Sequence, residues 1–145
     1  MAGQSAAQGG YESFEHTSDL GLKVRGRDLV DLFEQAAAGF IGLIIDPETV
    51  RPARSLTIRT SAEEPEELLV AWLQEILFAF EAEGFAPASA RVDALGETDV
   101  TGHLMGEELE LERHRLRHPV KAVTYHNLAI RVVKGLYEVS LVFDV

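Results

Sequence analysis

Apolar residues recur along this chain at two different spacings, and the switches between them mark its elements. From Pro65 to Gly84 the apolar positions are Leu68, Leu69, Trp72, Leu73, Ile76, Leu77 and Phe80, three and four residues apart. That is the period of one wide helical face turned to a core. Pro65 suits a first helical position, where a missing N–H costs nothing. Glu63, Glu64, Glu66 and Glu67 crowd the positive end of the helix dipole, and Gly84 stands where a left-handed C-cap would close the helix. A second helix is expected from a cap at Asp28 to about Ile44, with Leu29, Leu32, Phe33, Ala36, Ala37, Phe40 and Leu43 inward. Asp46-Pro47 ends it, because the residue before proline is pushed out of the helical region.

Elsewhere the period drops to two. Tyr11 to His16 and Leu20 to Gly26 read as short strands around the turn His16-Thr17-Ser18-Asp19, and a third strand covers Arg54 to Thr60. Beyond the central helix, strands are expected over Ala88 to Leu95, Asp99 to Met105, Val120 to His126, Leu128 to Val133 and Leu136 to Val145. Lys134-Gly135 is a plausible hairpin turn. Strands, then two helices, then strands again predict an α+β fold: two helices packed on a largely antiparallel β-sheet in a single compact domain. A chain of 145 residues suits one such domain, burying about 70% of its unfolded surface. The first ten residues, MAGQSAAQGG, read as a disordered tail, leaving residues 11–145 as the domain.

Composition narrows the function. No run approaches the ~20 apolar residues of a membrane span, so a soluble protein with no membrane partner is expected. The absence of cysteine excludes disulfides, thiolate catalysis and cysteine-based zinc sites, and fits a reducing cytoplasm. Thirteen basic against twenty-four acidic residues give a net charge of −11. Such a chain repels phosphates on average, so no direct, stable nucleic-acid binding is expected; a basic protein partner or a bound cation suits it better.

Three stretches carry candidate chemistry. In the turn ending at Asp19, Ser18 or Asp19 can simply bond local backbone; the sharper reading makes Asp19 a ligand for a hard cation, Mg²⁺ or Ca²⁺. One carboxylate is not a site. At the chain end, Val139, Leu141, Phe143 and Val145 alternate with polar Ser140 and Asp144, so core-facing residues run to the last position and Asp144 faces the other way. A frayed strand end is the bland alternative, and nothing in the pattern brings Asp144 to Asp19. Arg113-His114-Arg115-Leu116-Arg117-His118 is the one dense basic patch, which could grip phosphates, hold zinc through His114 and His118, or pair with the chain's own carboxylates. Asp99 and the run Glu107, Glu108, Glu110 and Glu112 read as a solvated acidic face.

In Val120-Lys121-Ala122-Val123-Thr124-Tyr125-His126, alternation puts Ala122, Thr124 and His126 on one face and Lys121, Val123 and Tyr125 on the other. Together with His16-Thr17-Ser18-Asp19-Leu20-Gly21, Asp46-Pro47, Leu68-Leu69-Val70-Ala71-Trp72-Leu73, Glu75-Ile76-Leu77-Phe78, Arg113-His114 and the closing Phe143-Asp144-Val145, this chain resembles the archease family over nearly everything after residue 10. Alanine is usual in the family where this chain has Ser18. The resemblance implies an accessory protein, not itself an enzyme. It would activate the tRNA-splicing RNA ligase that joins ends carrying a 3′-phosphate or 2′,3′-cyclic phosphate to a 5′-hydroxyl. Its action would be to promote guanylylation of the ligase and multiple turnover. The resemblance also implies a metal site of Asp19, Asp144 and Val145, binding calcium with magnesium as the alternative, and partner-facing roles for His16, Thr17, Ser18, Lys121, Thr124 and His126. Two rival functions remain: a chaperone-like modulator of other nucleic-acid enzymes, and a metal-dependent hydrolase in which His16 or His126 would activate the nucleophile.

Overall fold

The computed structural model describes residues 9–16, 19–125 and 127–145, with residues 15, 16 and 19 described by backbone alone. The expected tail therefore lies outside the described residues except for Gly9 and Gly10, and Gly10 already belongs to the first strand. In chain order the elements are β1 (Gly10–His16), β2 (Asp19–Gly26), α1 (Leu29–Ile44), β3 (Arg54–Ser61), α2 (Pro65–Glu81), β4 (Phe85–Leu95), β5 (Asp99–Glu108), β6 (Ala122–Thr124), β7 (Arg131–Val133) and β8 (Leu136–Asp144). All strand pairs are antiparallel. They form two sheets: β1-β2-β8-β6, with β7 also on β8, and β3-β5-β4.

Both helices touch both sheets, α1 against β2 and β4, α2 against β3 and β6. This explains why α1 buries more than the one face its period marks. Ile41 and Ile44 are buried along with Leu32, Phe33, Ala36, Ala37 and Phe40, and a helix apolar nearly all round is one enclosed on more than one side. The caps follow the local sequence. Asp28 Oδ1 accepts the Asp31 N–H at 2.8 Å to open α1. Pro65 takes the first position of α2, and the Glu64 N–H donates to Glu67 Oε1 at 3.2 Å. α2 ends at Glu81, and Gly84, at φ +65°, turns the chain into β4.

Trp72 is the centre of this layer. It is wholly buried, its indole N–H donates to the Phe33 carbonyl at 3.0 Å, and it ties α2 to α1. A Cβ on Gly102 would stand 2.5 Å from the Trp72 ring, so β5 keeps a glycine there. Phe40 of α1 stacks on Phe143 of β8 with ring centroids 5.3 Å apart, which anchors the end of the last strand to the core.

Two strands are shorter than alternation predicts. Among the described residues of Val120 to His126 only Ala122–Thr124 forms a strand, and of Leu128 to Val133 only Arg131–Val133 does. One strand edge serves both: β6 takes residues 142–144 of β8 and β7 takes residues 136–138, so the chain between them must loop out. Lys134 and Gly135 both have positive φ, 54° and 82°, as a two-residue hairpin turn requires.

Candidate metal centre at the end of the β2–β8 ladder

The alternation of β8 puts Val139, Leu141 and Phe143 into the core, leaving Ser140, Val142 and Asp144 on the other face. Asp144 is the last residue of the strand and is paired on both sides. Its Cα partner in β2 is Asp19 and its partner in β6 is Ala122. The Lys121 N–H donates to the Asp144 carbonyl at 2.7 Å, closing the ladder. The strand is thus ordered to its end rather than frayed. His16 pairs with Asp19 across the β1–β2 turn, so one row runs His16, Asp19, Asp144, Ala122. Cross-strand partners point to the same face, which gives Asp19 and Asp144 a shared side of the sheet by register.

The Asp144 side chain is exposed and has no partner among the described residues; Val145 beside it is 37% exposed. Thr124 lies one pair along, opposite Val142, and its hydroxyl is buried without a hydrogen-bond partner among the described residues. Lys121 is exposed and borders a shallow recess with Gln74, Phe78 and Glu81 of α2. Thr17, Ser18 and His126 lie outside the described residues, and His16 and Asp19 are placed only by their backbones. Among the described residues no three histidine, cysteine, aspartate or glutamate side chains converge. Register sets the carboxylates Asp19 and Asp144 opposite one another, with His16 the one imidazole in the same row. The expected set of Asp19, Asp144 and Val145 holds oxygen donors and no nitrogen or sulfur side chain. Such a set fits a hard cation and not zinc.

The basic stretch has a different use. The Arg113 guanidinium donates to Glu107 at 2.7 Å and pairs with Glu110 at 3.3 Å. His114 is buried, and its Nδ1 accepts the Glu110 N–H at 2.9 Å, so the proton sits on Nε2 and is donated to Glu107 at 2.8 Å. The Arg51 N–H gives Glu107 a third donor at 2.9 Å. Glu107 is therefore no part of a solvated acidic face, because three donors converge on one of its oxygens. The Arg113 hydrogen bond, then the Arg51 N–H and His114, hold its carboxyl well below the usual range, and Glu107 in turn raises Arg113. Both His114 ring nitrogens are engaged within the chain, which removes the zinc pair with His118. Arg117 donates to the Gly42 carbonyl and pairs with Asp46, while the backbone from Arg115 to His118 bonds to residues 43–46. The stretch is a clamp that fastens residues 107–118 to the end of α1 and so delivers Lys121 to Asp144. Sequence reasoning missed Glu107 because it lies at the end of β5, beyond the expected strand Asp99 to Met105. Its donors come from Arg51 and from Arg113 and His114, which no local period ties to it.

The chain is similar to known proteins in sequence and in fold. A model of the Archease protein family (MTH1598/TM1083) matches residues 11–145. The protein archease of Methanothermobacter thermautotrophicus is 33% identical over 138 residues, covering 93% of this chain and 98% of that one. The archease of Saccharolobus solfataricus is 34% identical over 138 residues, with the same coverage. The solution structure of Methanobacterium thermoautotrophicum protein 1598 superposes with a TM-score of 0.78 at 31% identity, covering 94% of this chain and 99% of that chain. No helix among the described residues is long and apolar enough to cross a membrane. With a family model matched over residues 11–145 and relatives above 30% identical along nearly their whole length, this chain belongs to the archease family.

Proposed function

We propose that this protein activates a tRNA-splicing RNA ligase in the cytoplasm, through a divalent cation held by Asp19, Asp144 and Val145, calcium by preference and magnesium as the alternative. The observation that carries the reading is the register of Asp144, paired to Asp19 on one side and Ala122 on the other. Two motifs distant in sequence meet there at one solvent-facing strand end. When bound, the cation would supply a positive centre that neutralises these carboxylates and offers open positions to phosphate or nucleotide oxygens. The chain's own residues do the rest. Phe143 and Phe40 pack the strand end against the core, the Lys121 N–H fixes the Asp144 backbone, and the exposed Lys121 side chain adds a positive charge nearby. His16, Thr17, Ser18, Thr124 and His126 would surround the partner's contact. An acidic projection of this kind suits the basic cleft of an enzyme that handles RNA and nucleotides. The protein would be no ligase itself and would need no stable grip on RNA.

A labelled-GTP experiment tests this. The protein should speed guanylylation of the ligase while carrying no label, and Asp19→Asn with Asp144→Asn should abolish the stimulation in a folded protein. Label on this chain, or full stimulation by the double variant, would sink the proposal. One observation keeps the hydrolase alternative specific: His16 is the register partner of Asp19. Metal-dependent phosphoester turnover by the purified chain alone would favour that reading, and its absence without a ligase would favour the activator.

A further inference from the structure

At the opposite end of the molecule from Asp144, the N-termini of α1 and α2 and the β4–β5 turn enclose a cavity of about 720 Å³. Its walls are apolar: Leu29, Val30 and Phe33 of α1, Leu68 of α2 and Leu95 of β4. Phe33 and Leu68 are buried at its floor, while Val30 is 39% exposed at its mouth. The volume lies within the range of ordinary ligand pockets, roughly 300–1,000 Å³. Three carboxylates stand on the rim, each from a different segment: Asp28 before α1, Glu63 before α2 and Glu97 in the turn. None of them has an ion-pair partner among the described residues, and no basic side chain lines the cavity.

The helix N-termini do not call for an anion here, since acidic side chains already stand at both. Asp28 accepts the Asp31 N–H, and Glu66 and Glu67 occupy the first turn of α2. The nearby turn is closed as well, with the Gly96 N–H bonded to the Asp99 carbonyl and the Ala62 N–H to the Thr98 carbonyl. What remains unsatisfied is apolar surface within a ring of negative charge. No three acidic side chains among the described residues are grouped so as to hold a metal ion, so these three are not one cation site. A peptide with an apolar anchor and basic residues to either side could meet all three.

We infer that this cavity is a docking site for a basic, apolar-anchored segment of a protein partner. Its leucine- or phenylalanine-like side chain enters between α1 and α2, and its arginines or lysines lie against Asp28, Glu63 and Glu97. This is the groove-and-rim logic by which acidic proteins take up basic amphipathic segments, and the chain's net charge of −11 would steer such a partner inward. The site is distinct from the one proposed for ligase activation. Gly26, which packs against Asp28 and Leu32, lies seven residues along β2 from Asp19, roughly 23 Å at the rise of a strand. Both ends could therefore be engaged at once.

Titration of the full chain, followed by amide chemical shifts, tests the inference with two synthetic amphipathic peptides, one of leucine and arginine and one of leucine and glutamate. The arginine peptide should give saturable shifts centred on Val30, Leu95, Gly96 and Glu97, and the glutamate peptide should give none. Glu63→Lys with Glu97→Lys should weaken binding by about tenfold or more. Val30→Asp should weaken it as well; a carboxylate there suits the helix dipole, so the fold should hold. Asp144→Asn should leave this binding unchanged, which separates the outcome from that of the ligase assay. Shifts centred on the Asp144 strand end, shifts spread evenly over the surface, equal binding of the glutamate peptide, unchanged binding by the variants, or no shifts at all would overturn it.

Discussion

The segment from Glu107 to Lys121 begins at one acidic residue and ends where the Lys121 N–H bonds to the backbone carbonyl of another, Asp144, and the two carboxylates are treated in opposite ways. Glu107 has a side chain only 12% exposed and receives donors from Arg113, His114 and Arg51 within the chain. Asp144, reached through the Lys121 N–H, is exposed, and no described side chain pairs with it. Both are fixed by rigid backbone, so flexibility does not separate them. The difference is whether the chain supplies the counter-charge. A carboxylate satisfied from within fastens elements together, whereas one fixed, exposed and set opposite a second aspartate by register is the one to which the proposed function assigns a charge from outside. The same reasoning assigns most of the basic patch to structure despite its composition, because the side chains of Arg113, His114 and Arg117 find their partners in the chain itself.

The largest expected effect sets the scale of a purely structural site. Trp72→Ala removes a fully buried ring and its hydrogen bond to the Phe33 carbonyl, and should cost roughly 3–5 kcal/mol in urea denaturation. Its effect on ligase activation should follow the fraction unfolded. A fully folded, inactive Trp72→Ala protein would break the division between framework and site.

Next comes the cation. At about a hundred times its dissociation constant, calcium should stabilise the wild-type fold by about 2.7 kcal/mol if it binds only the folded state. The gain should persist in Glu107→Gln and vanish in Asp144→Asn. Calorimetry should show the same split, with zinc not preferred over calcium. Calcium affinity lost in Glu107→Gln but kept in Asp144→Asn would reverse the assignment of the two carboxylates.

Glu107 itself should appear in the acid limb of the stability curve. Its folded pKa is depressed, first by Arg113, so its contribution is complete above the unfolded value near 4.5 and is lost as pH falls below it. Glu107→Gln should therefore lower the melting temperature at neutral pH and flatten the dependence on pH in the acid range. An acid limb identical to that of the wild type would mean that the three donors do not hold the carboxylate in solution.

These two carboxylates also differ in what the sequence could say about them. The helices are readable because Leu68, Trp72, Ile76 and Phe80, or Leu32, Ala36 and Phe40, repeat at the pitch of the structure they form. The buried face of β8 is readable for the same reason. Alternation also marks Val120 to His126 and Leu128 to Val133, but it cannot show that both compete for one edge of β8, which trims them to Ala122–Thr124 and Arg131–Val133. The pairing of Asp19 with Asp144 is a register across the whole chain. No local pattern contains it, and it entered the reading only through resemblance to a family. The Glu107 hub lacked even that aid, and Glu107, Glu108, Glu110 and Glu112 look alike until the fold encloses one of them.

The smallest effect tests the comparison most directly. Register sets Asp19 and Asp144 opposite one another in an antiparallel pair, and like charges so placed are destabilising by roughly 0.2–1 kcal/mol. With no cation present, Asp144→Asn removes one of these charges at almost constant volume and breaks no described side-chain hydrogen bond. The variant should therefore be slightly more stable than the wild type in chelator-treated buffer. The gain should shrink as salt is added, because exposed charges are screened over about 10 Å at 0.1 M ionic strength. Adding calcium should reverse the order, since only the wild type keeps its full set of oxygen donors. Parallel melting curves with and without chelator check both signs. A variant less stable than the wild type in metal-free buffer would show that Asp144, like Glu107, is satisfied from within.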